Sequence, residues 1–167
     1  MHITAKIDYA VRTLLEIASA PPLHNAAAGL GGSVLPAAPV VKAEAIATAQ
    51  RISPKVLESV LGELRRADLV ISRRGPDGGY WLARPAAEIS IADVIRALEG
   101  PLASVRGERP EDVRYRGSAE SLQRVWIALR VNIRAILENV TIEDIACGQL
   151  PGFLDELTRD PGAWARR

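Results

Sequence analysis

Apolar residues recur every three or four positions in several stretches of the chain, and this spacing predicts amphipathic helices. The first helix is expected over residues 4–20, where Pro21-Pro22 ends it, and the second over residues 41–50. Ser53-Pro54 then opens a third helix, with serine at the N-cap and proline at the first helical position. Two short helices joined at Arg51-Ile52 predict a helix-turn-helix.

The pattern changes to strand-like runs between Leu69 and Ala83. Two apolar runs, 69–71 and 80–82, flank the turn sequence Arg73-Arg74-Gly75-Pro76-Asp77-Gly78-Gly79. Pro followed by Asp-Gly-Gly is typical of a tight turn, so a β-hairpin is predicted. A hairpin directly after a helix-turn-helix is a wing.

Helical spacing returns after the hairpin. Ser90 and Asp93 predict a capping-box start for a helix that Gly100-Pro101 ends. The longest predicted helix covers 118–140, and Thr141 caps a last short helix with Glu143 and Asp144 in its first turn. A short amphipathic turn is expected around Phe153, Leu154 and Leu157.

These elements predict a mainly α fold, a winged helix-turn-helix domain with a long C-terminal helix for dimerisation. The domain covers 1–100, with a flexible loop inserted at 23–39, where Ala, Gly and Pro dominate without an apolar period. Residues 101–117 are expected to be a linker or effector-region loop, 118–148 the dimerisation helix and short helix, and 149–167 a tail. The expected core residues are Ala10, Leu14, Ile46, Val60, Leu64, Val94 and Leu98.

Composition narrows the class of protein. A length of 167 residues with 25% charged and 48% hydrophobic residues is typical of one globular domain with an appendage. The single cysteine, Cys147, excludes an intramolecular disulfide and a cysteine-rich metal site built by one chain. Without a membrane-spanning run or a signal-peptide layout, the protein is expected to be soluble and cytoplasmic. Two interpretations of Cys147 are open: a small, partly buried side chain, or a redox-reactive thiol that pairs across a dimer.

Charge adds the first functional indication. The net charge is only +1, yet residues 51–84 hold seven basic and four acidic side chains. This local surplus coincides with the helix-turn-helix and wing, and it suits contacts to DNA phosphates, although a solvated charged face is the alternative. Lys55 and Glu58 lie in the first turns of the third helix, where base edges in a major groove would be read. Arg73 and Arg74 at the hairpin tip are placed for a minor groove.

Several segments resemble the bacterial Rrf-type regulators, the group that includes IscR, NsrR, RirA and CymR. The resemblance is carried most specifically by Arg74-Gly75-Pro76-Asp77-Gly78-Gly79-Tyr80 and by the run from Glu88 to Gly100. Residues 6–12, 52–58 and 64–70 are also similar, so the resemblance covers roughly 1–20 and 40–140. It implies a dimeric winged helix-turn-helix transcription factor.

The resemblance also implies roles for individual residues. Ser53, Lys55 and Glu58 match major-groove contacts, Arg74 with Gly75 matches the minor-groove wing, and Lys6 and Tyr9 match positions near the DNA backbone. With the basic residues of the same region, the predicted DNA-binding set is Lys6, Tyr9, Arg51, Ser53, Lys55, Glu58, Arg65, Arg66, Arg73, Arg74 and Gly75.

The sequence departs from the family pattern in three places. The 23–39 loop is longer than usual, and Val56 stands where tyrosine is frequent. Sensory members carry three cysteines after the Glu-Gly pair for an iron–sulfur cluster, but here 101–112 contains none. No cofactor is therefore expected, and the protein is predicted to need no iron.

The long helix carries an apolar stripe that one small domain does not need for its own core. The predicted dimer interface is Leu122, Val125, Trp126, Leu129, Ile133, Ile136 and Leu137, and the alternative is that the helix packs back on its own wing domain. The expected function is a sequence-specific transcriptional regulator, a repressor, binding a pseudo-palindromic operator in double-stranded DNA as a homodimer. A small-molecule effector is an expected further partner, and a membrane is not.

Two alternatives come from other classes. One is a protein–protein interaction module that uses a winged-helix scaffold without binding DNA, and the other is a small enzyme. The enzyme is disfavoured because the sequence has no nucleophile–base or metal constellation. DNA binding predicts a steep dependence on salt, which a protein-docking module need not show.

Overall fold

The computed structural model describes residues 2–21 and 39–165, so most of the predicted 23–39 loop lies outside the described residues. Within them, the chain forms helices α1 (Ala5–Ala18), α2 (Ala43–Gln50), α3 (Pro54–Arg66), α4 (Ile91–Glu99), α5 (Leu122–Leu137), α6 (Ile142–Ala146) and α7 (Gly152–Thr158). The hairpin consists of β1 (Val70–Arg73) and β2 (Gly79–Leu82), between α3 and α4. The predicted mainly α winged helix-turn-helix fold is confirmed.

The helix starts follow local capping chemistry. Ser90 accepts a hydrogen bond from the Asp93 amide while the Asp93 side chain accepts from the Ser90 amide, so the predicted capping box is present at α4. Thr141 and Asp144 make the same reciprocal pair at α6. Each box uses residues only three apart, so the sequence predicts the box at Ser90 and the cap at Thr141, while the reciprocal Asp144 bond is added by the structure.

The main core joins α1, α2, α3, β1, α4 and α6. All seven predicted core residues are buried, and all seven share one cluster with Leu57 and Leu61 on the inner face of α3. Ile142 of α6 is also in this cluster at 0% exposure. The prediction grouped α6 with the long helix, but α6 packs against α1 and completes the core of the winged domain.

The long helix is shorter than predicted. It covers Leu122–Leu137 instead of 118–140, and the predicted stripe residue Val140 is buried outside it. Residues 117–119 form a separate 3₁₀ turn. At the other end, Thr141 adopts an extended backbone to cap α6, and the Val140 carbonyl accepts from Ile91, so α5 must end before them.

A second, smaller cluster holds α5 against the domain. Ile133 and Leu137 pack on Ile7, Ile95 and Leu102. The segment 101–117 takes part in this packing through Leu102, and its Val113 is also buried, at 1% exposure. It therefore has apolar anchors of its own and is not a simple linker.

Candidate nucleic-acid interface

The turn between α2 and α3 is short and tightly constrained. Arg51 adopts a left-handed backbone with φ of 52° at the end of α2, and Ile52 is buried in the main core. Ser53 has the extended backbone of an N-cap, with Pro54 at the first helical position. Within the described residues, however, its hydroxyl makes no capping hydrogen bond, so the predicted N-cap position is correct but its usual bond is not made. The Ser53 side chain is exposed at the start of α3.

Helix α3 has two distinct faces. Leu57, Val60, Leu61 and Leu64 are buried on the inner face. On the outer side, Lys55, Glu58 and Arg65 are exposed, and their spacing of three and seven places them on one face with Gly62 between the last two. The predicted base-reading residues therefore share the surface that α3 presents away from the core.

The wing is an antiparallel hairpin in which Ile71 pairs with Trp81 and Arg73 with Gly79. Val41, just before α2, adds a third partner, since Val41 and Tyr80 exchange two backbone hydrogen bonds of 2.8 Å. Gly79 lies at this close approach: a Cβ there would be 2.6 Å from the Val41 carbonyl oxygen. At the tip, Gly75 takes φ of +110°, a conformation that favours glycine.

A cleft of about 320 Å³ lies between α3 and the wing. It brings together four of the predicted DNA-binding residues, Glu58, Arg65, Arg73 and Arg74. Arg65 donates to Ser72 Oγ at 3.4 Å, and Arg73 donates to the Asp77 carbonyl at 3.2 Å. Residues from α3 and from the wing thus form one basic surface, which extends along α3 to Lys55 and Ser53.

Lys6, Tyr9 and Arg66 are not part of this cleft. The Lys6 ammonium donates to Glu63 Oε2 at 3.1 Å and to the Leu98 carbonyl at 3.0 Å, which ties α1 to α3 and α4. Tyr9 packs against the main core, with the Arg12 guanidinium 5.7 Å from its ring centre. Arg66 donates from Nε to the Gly62 carbonyl at 3.2 Å. The contacts of these three residues to DNA stay predictions.

Two residues of the interface were missed at the sequence level. Lys42 donates from Nζ to the carbonyls of Pro76 and Gly75, which tethers the wing tip to the start of α2. Lys42 lies outside the basic segment 51–84, and only its contact with the wing tip identifies it as part of the interface. Gly62 lines the cleft from the interior of α3. A glycine inside a helical pattern often has a packing or functional reason, so the sequence contained an indication of its role.

The predicted dimer residues on α5 fall into two groups that differ in exposure and packing. Val125 and Leu129 are 55% and 46% exposed, while Leu122, Trp126 and Ile136 are half-buried. Trp126 donates from Nε1 to the Tyr115 hydroxyl at 3.0 Å. Ile133 and Leu137 instead pack on the second cluster, so the alternative that the helix packs on its own domain holds for this end of the stripe.

The residues do not fit an iron–sulfur cluster held by one chain. The segment 101–112 offers no thiolate, and Cys147 lies beyond α5 at the end of α6. Among residues 2–21 and 39–165, no three His, Cys, Asp or Glu side chains are grouped to hold a metal. Cys147 is exposed, so its interpretation as a partly buried side chain is wrong.

The part of the chain that the structure describes has no helix with the length and apolar character of a membrane span.

Comparisons with known proteins agree with this architecture. Residues 33–148 match the Rrf2 family model, described as an iron-dependent transcriptional regulator. Rv1287 of Mycobacterium tuberculosis, named as an HTH-type transcriptional regulator, is 44% identical over 96% of this chain and 90% of its own length. IscR of Sodalis glossinidius is 34% identical over 89% of this chain and 81% of its own length.

Solved structures show the same fold. CymR of Bacillus subtilis, titled the global cysteine regulator, superposes with a TM-score of 0.65 at 28% identity, covering 88% of this chain and 97% of CymR. IscR of T. potens superposes with a TM-score of 0.59 at 25% identity, covering 96% of this chain and 91% of that chain.

Proposed function

This chain belongs to the Rrf2 family of transcriptional regulators, and we propose that it is a homodimeric repressor of a pseudo-palindromic DNA operator. The observation that carries the proposal is the cleft that joins the outer face of α3 to the basic wing. Its charge suits the phosphate backbone, and its two elements are those with which winged helices enter neighbouring grooves.

In this proposal, α3 reads the major groove. Lys55 donates to guanine and Glu58 accepts from the cytosine amino group, because these side chains are exposed at the start of the helix. Arg74 enters the minor groove from the wing tip, whose position Lys42 supports. Arg65, farther along α3, contacts phosphate and fixes the register without reading sequence.

The operator is identified by pulling down genomic fragments with the purified protein and sequencing them. On that operator, Arg74→Ala is expected to weaken binding by about 1–3 kcal/mol. Arg65→Ala is expected to weaken binding to all sequences alike and to reduce the salt slope by about 0.9 for one lost phosphate contact. Arg116→Ala, which removes an exposed arginine outside the cleft, serves as the control. Unchanged operator affinity in Arg74→Ala would refute the role of the wing, and salt-independent binding would refute the phosphate contacts.

Dimerisation is proposed through the exposed part of the α5 stripe. Val125 and Leu129 are one turn apart on the same face as Leu122 and Trp126, and an apolar row of this kind is normally covered in a soluble protein. Two chains related by a two-fold axis would present two α3 helices to half-sites about one helical turn apart.

Sedimentation of Val125→Asp/Leu129→Asp tests this assembly. The double variant is expected to be a folded monomer with reduced operator affinity, because one half-site supplies too few contacts. Val131→Asp is the matched control, since Val131 is 56% exposed on the opposite face of α5. A double variant that stays dimeric, or a parent protein that is monomeric at micromolar concentration, would refute the interface. Ile133 is unsuitable for this test because it packs on the second cluster.

Repression follows if the bound dimer occludes a promoter. Transcription in vitro from a template that carries the operator is expected to fall as the protein is added. A rise in transcript would instead identify an activator.

We also propose that the protein regulates without an iron–sulfur cluster and that a small-molecule effector supplies its signal, because segment 101–112 lacks the thiolates that would hold the cluster.

A further inference from the structure

Four arginines line a cavity of about 420 Å³ on the side of the molecule formed by α4, the segment after it and α5. They come from three separate parts of the chain: Arg96 from α4, Arg109 from the following segment, and Arg130 and Arg134 from α5. Glu111 lines the same cavity, as do residues 100–103. None of these residues lines the cleft between α3 and the wing.

Three carboxylates neutralise only part of this positive charge, and one of them, Asp93, is shared between Arg96, 3.9 Å away, and Arg84, which lies outside the cavity. Glu138 is shared by Arg96 and Arg134, with Arg134 Nε 3.0 Å from its Oε1, and Glu111 pairs with Arg130. Within residues 2–21 and 39–165, Arg109 has no salt bridge. With Arg84 included, five guanidiniums against three carboxylates leave two positive charges.

Glu111 and Glu138 remain ionised at neutral pH. A backbone hydrogen bond, and after it the Arg130 and Arg109 guanidiniums, lower the pKa of Glu111. Hydrogen bonds from Arg134 and Arg96 lower the pKa of Glu138. Both glutamates therefore keep their negative charge at neutral pH, and a ligand that enters the cavity meets a surplus of two positive charges.

Arg130 also has an unused donor. Its Nε is buried, and no atom of the described residues accepts a hydrogen bond from it. A buried donor without an acceptor is unfavourable, and native structures seldom leave one unless a ligand or water completes it. Arg130 lines the cavity, so an oxyanion there would place negative charge and acceptor oxygens beside this side chain.

We propose that this cavity binds a compact oxyanion with two negative charges. Guanidinium groups match phosphate and carboxylate oxygens in shape and charge, and the volume is within the range of small-molecule sites. Leu102 and Ala103 give the cavity an apolar wall that suits a short carbon skeleton. The charge could come from one phosphoryl group or from two carboxylates, and these are the two sources that an experiment must separate.

Isothermal titration of the full chain with inorganic phosphate and, separately, with succinate tests the proposal at constant ionic strength. The parent protein is expected to bind at least one of the two, and Arg109→Gln and Arg130→Gln are expected to lose at least about tenfold in affinity for it. Arg109 is exposed and outside any salt bridge of the described residues, so its variant is expected to fold even if Arg130→Gln does not. Arg124→Gln removes the same charge from an exposed position on α5 outside the cavity and is expected to bind as the parent does.

The outcomes separate this site from the DNA-binding surface. Binding of phosphate alone identifies a phosphoryl ligand, binding of succinate alone identifies a dicarboxylate, and either result supports the site if Arg109 is needed. Absence of binding by both anions at millimolar concentration would overturn it. So would affinity that is kept in Arg109→Gln and lost in Arg74→Gln, because the anion would then occupy the wing. That result would leave the proposed DNA binding intact. Loss of operator binding in Arg74→Ala, in turn, tests the role of the wing and does not bear on the arginine cavity.

Discussion

Gly62 stands in the interior of α3, where glycine is a poor helix former, and a single methyl group added there is expected to have two opposite effects. A Cβ at this position would meet nothing within 4 Å. Gly62→Ala is therefore expected to raise the free energy of unfolding by about 0.5–1 kcal/mol, through lower backbone entropy in the unfolded chain and better helix propensity. For a chain of this size the melting temperature should rise by about 1–4 °C.

The same methyl group is expected to weaken operator binding. Gly62 lines the cleft between Glu58 and Arg65, on the face of α3 that the proposal places against DNA. A side chain there would hold the helix away from the groove and lengthen contacts that its neighbours make. Loss of one good base contact costs about 1–3 kcal/mol, so the affinity should fall by about 5- to 140-fold.

Urea unfolding and fluorescence anisotropy with the operator measure the two effects on the same sample. Gly152→Ala is the control, because a Cβ at Gly152 also meets nothing within 4 Å and α7 lies outside the cleft. It should leave operator affinity unchanged. A Gly62→Ala variant that unfolds at lower urea concentration than the parent would refute the predicted stabilisation. One that is stabilised but binds the operator as tightly as the parent would refute the position of α3 on DNA.

Three further predictions concern the wing, an ion pair and the cofactor. Gly79→Ala is expected to lower the free energy of unfolding by about 1–3 kcal/mol, because the new Cβ would strain the Val41–Tyr80 pairing, and unchanged urea unfolding would contradict this. Glu138→Gln should destabilise the protein at neutral pH, and its difference from the parent should vanish in acid. Hydrogen bonds from Arg134 and Arg96 lower the pKa of Glu138 in the folded state, so the ionised carboxylate stabilises the fold. This stability is lost as Glu138 is protonated below about pH 4. Urea unfolding at both pH values measures this, and a constant difference would count against it. Anaerobically purified protein should be colourless and free of iron by absorption and iron assay, and a stoichiometric brown cluster would overturn that expectation.

Sequence reasoning succeeded where the determining contacts are local. The capping box at Ser90 and the Thr141 cap depend on residues within three positions, and the wing turn depends on a run of Gly, Pro and Asp. The buried face of α3 follows from its helical spacing alone. Such features are set by short-range chemistry, so the winged helix-turn-helix and its exposed face could be predicted.

The remaining features depend on which distant segments meet. The partners of Lys6 are 57 and 92 residues away along the chain, so nothing in the pattern around Lys6 indicates that its ammonium is engaged. The apolar spacing of α5 likewise cannot tell that Ile133 packs inward while Leu129 stays exposed. The arginine cavity combines α4, α5 and the segment between them, and no single motif marks it.

The burial of Ile142 in the main core has a consequence for how the protein is made. Leu14 and Ile17 of α1 share a cluster with Ile142, and roughly 125 residues separate them along the chain. At synthesis rates of about 5–20 residues per second, α1 waits on the order of ten seconds on the ribosome for this partner. All of α5 is translated before α6, so the winged domain completes its core only after the proposed dimerisation helix has been synthesised. A nascent chain therefore has its assembly surface available by the time its DNA-binding domain becomes fully folded.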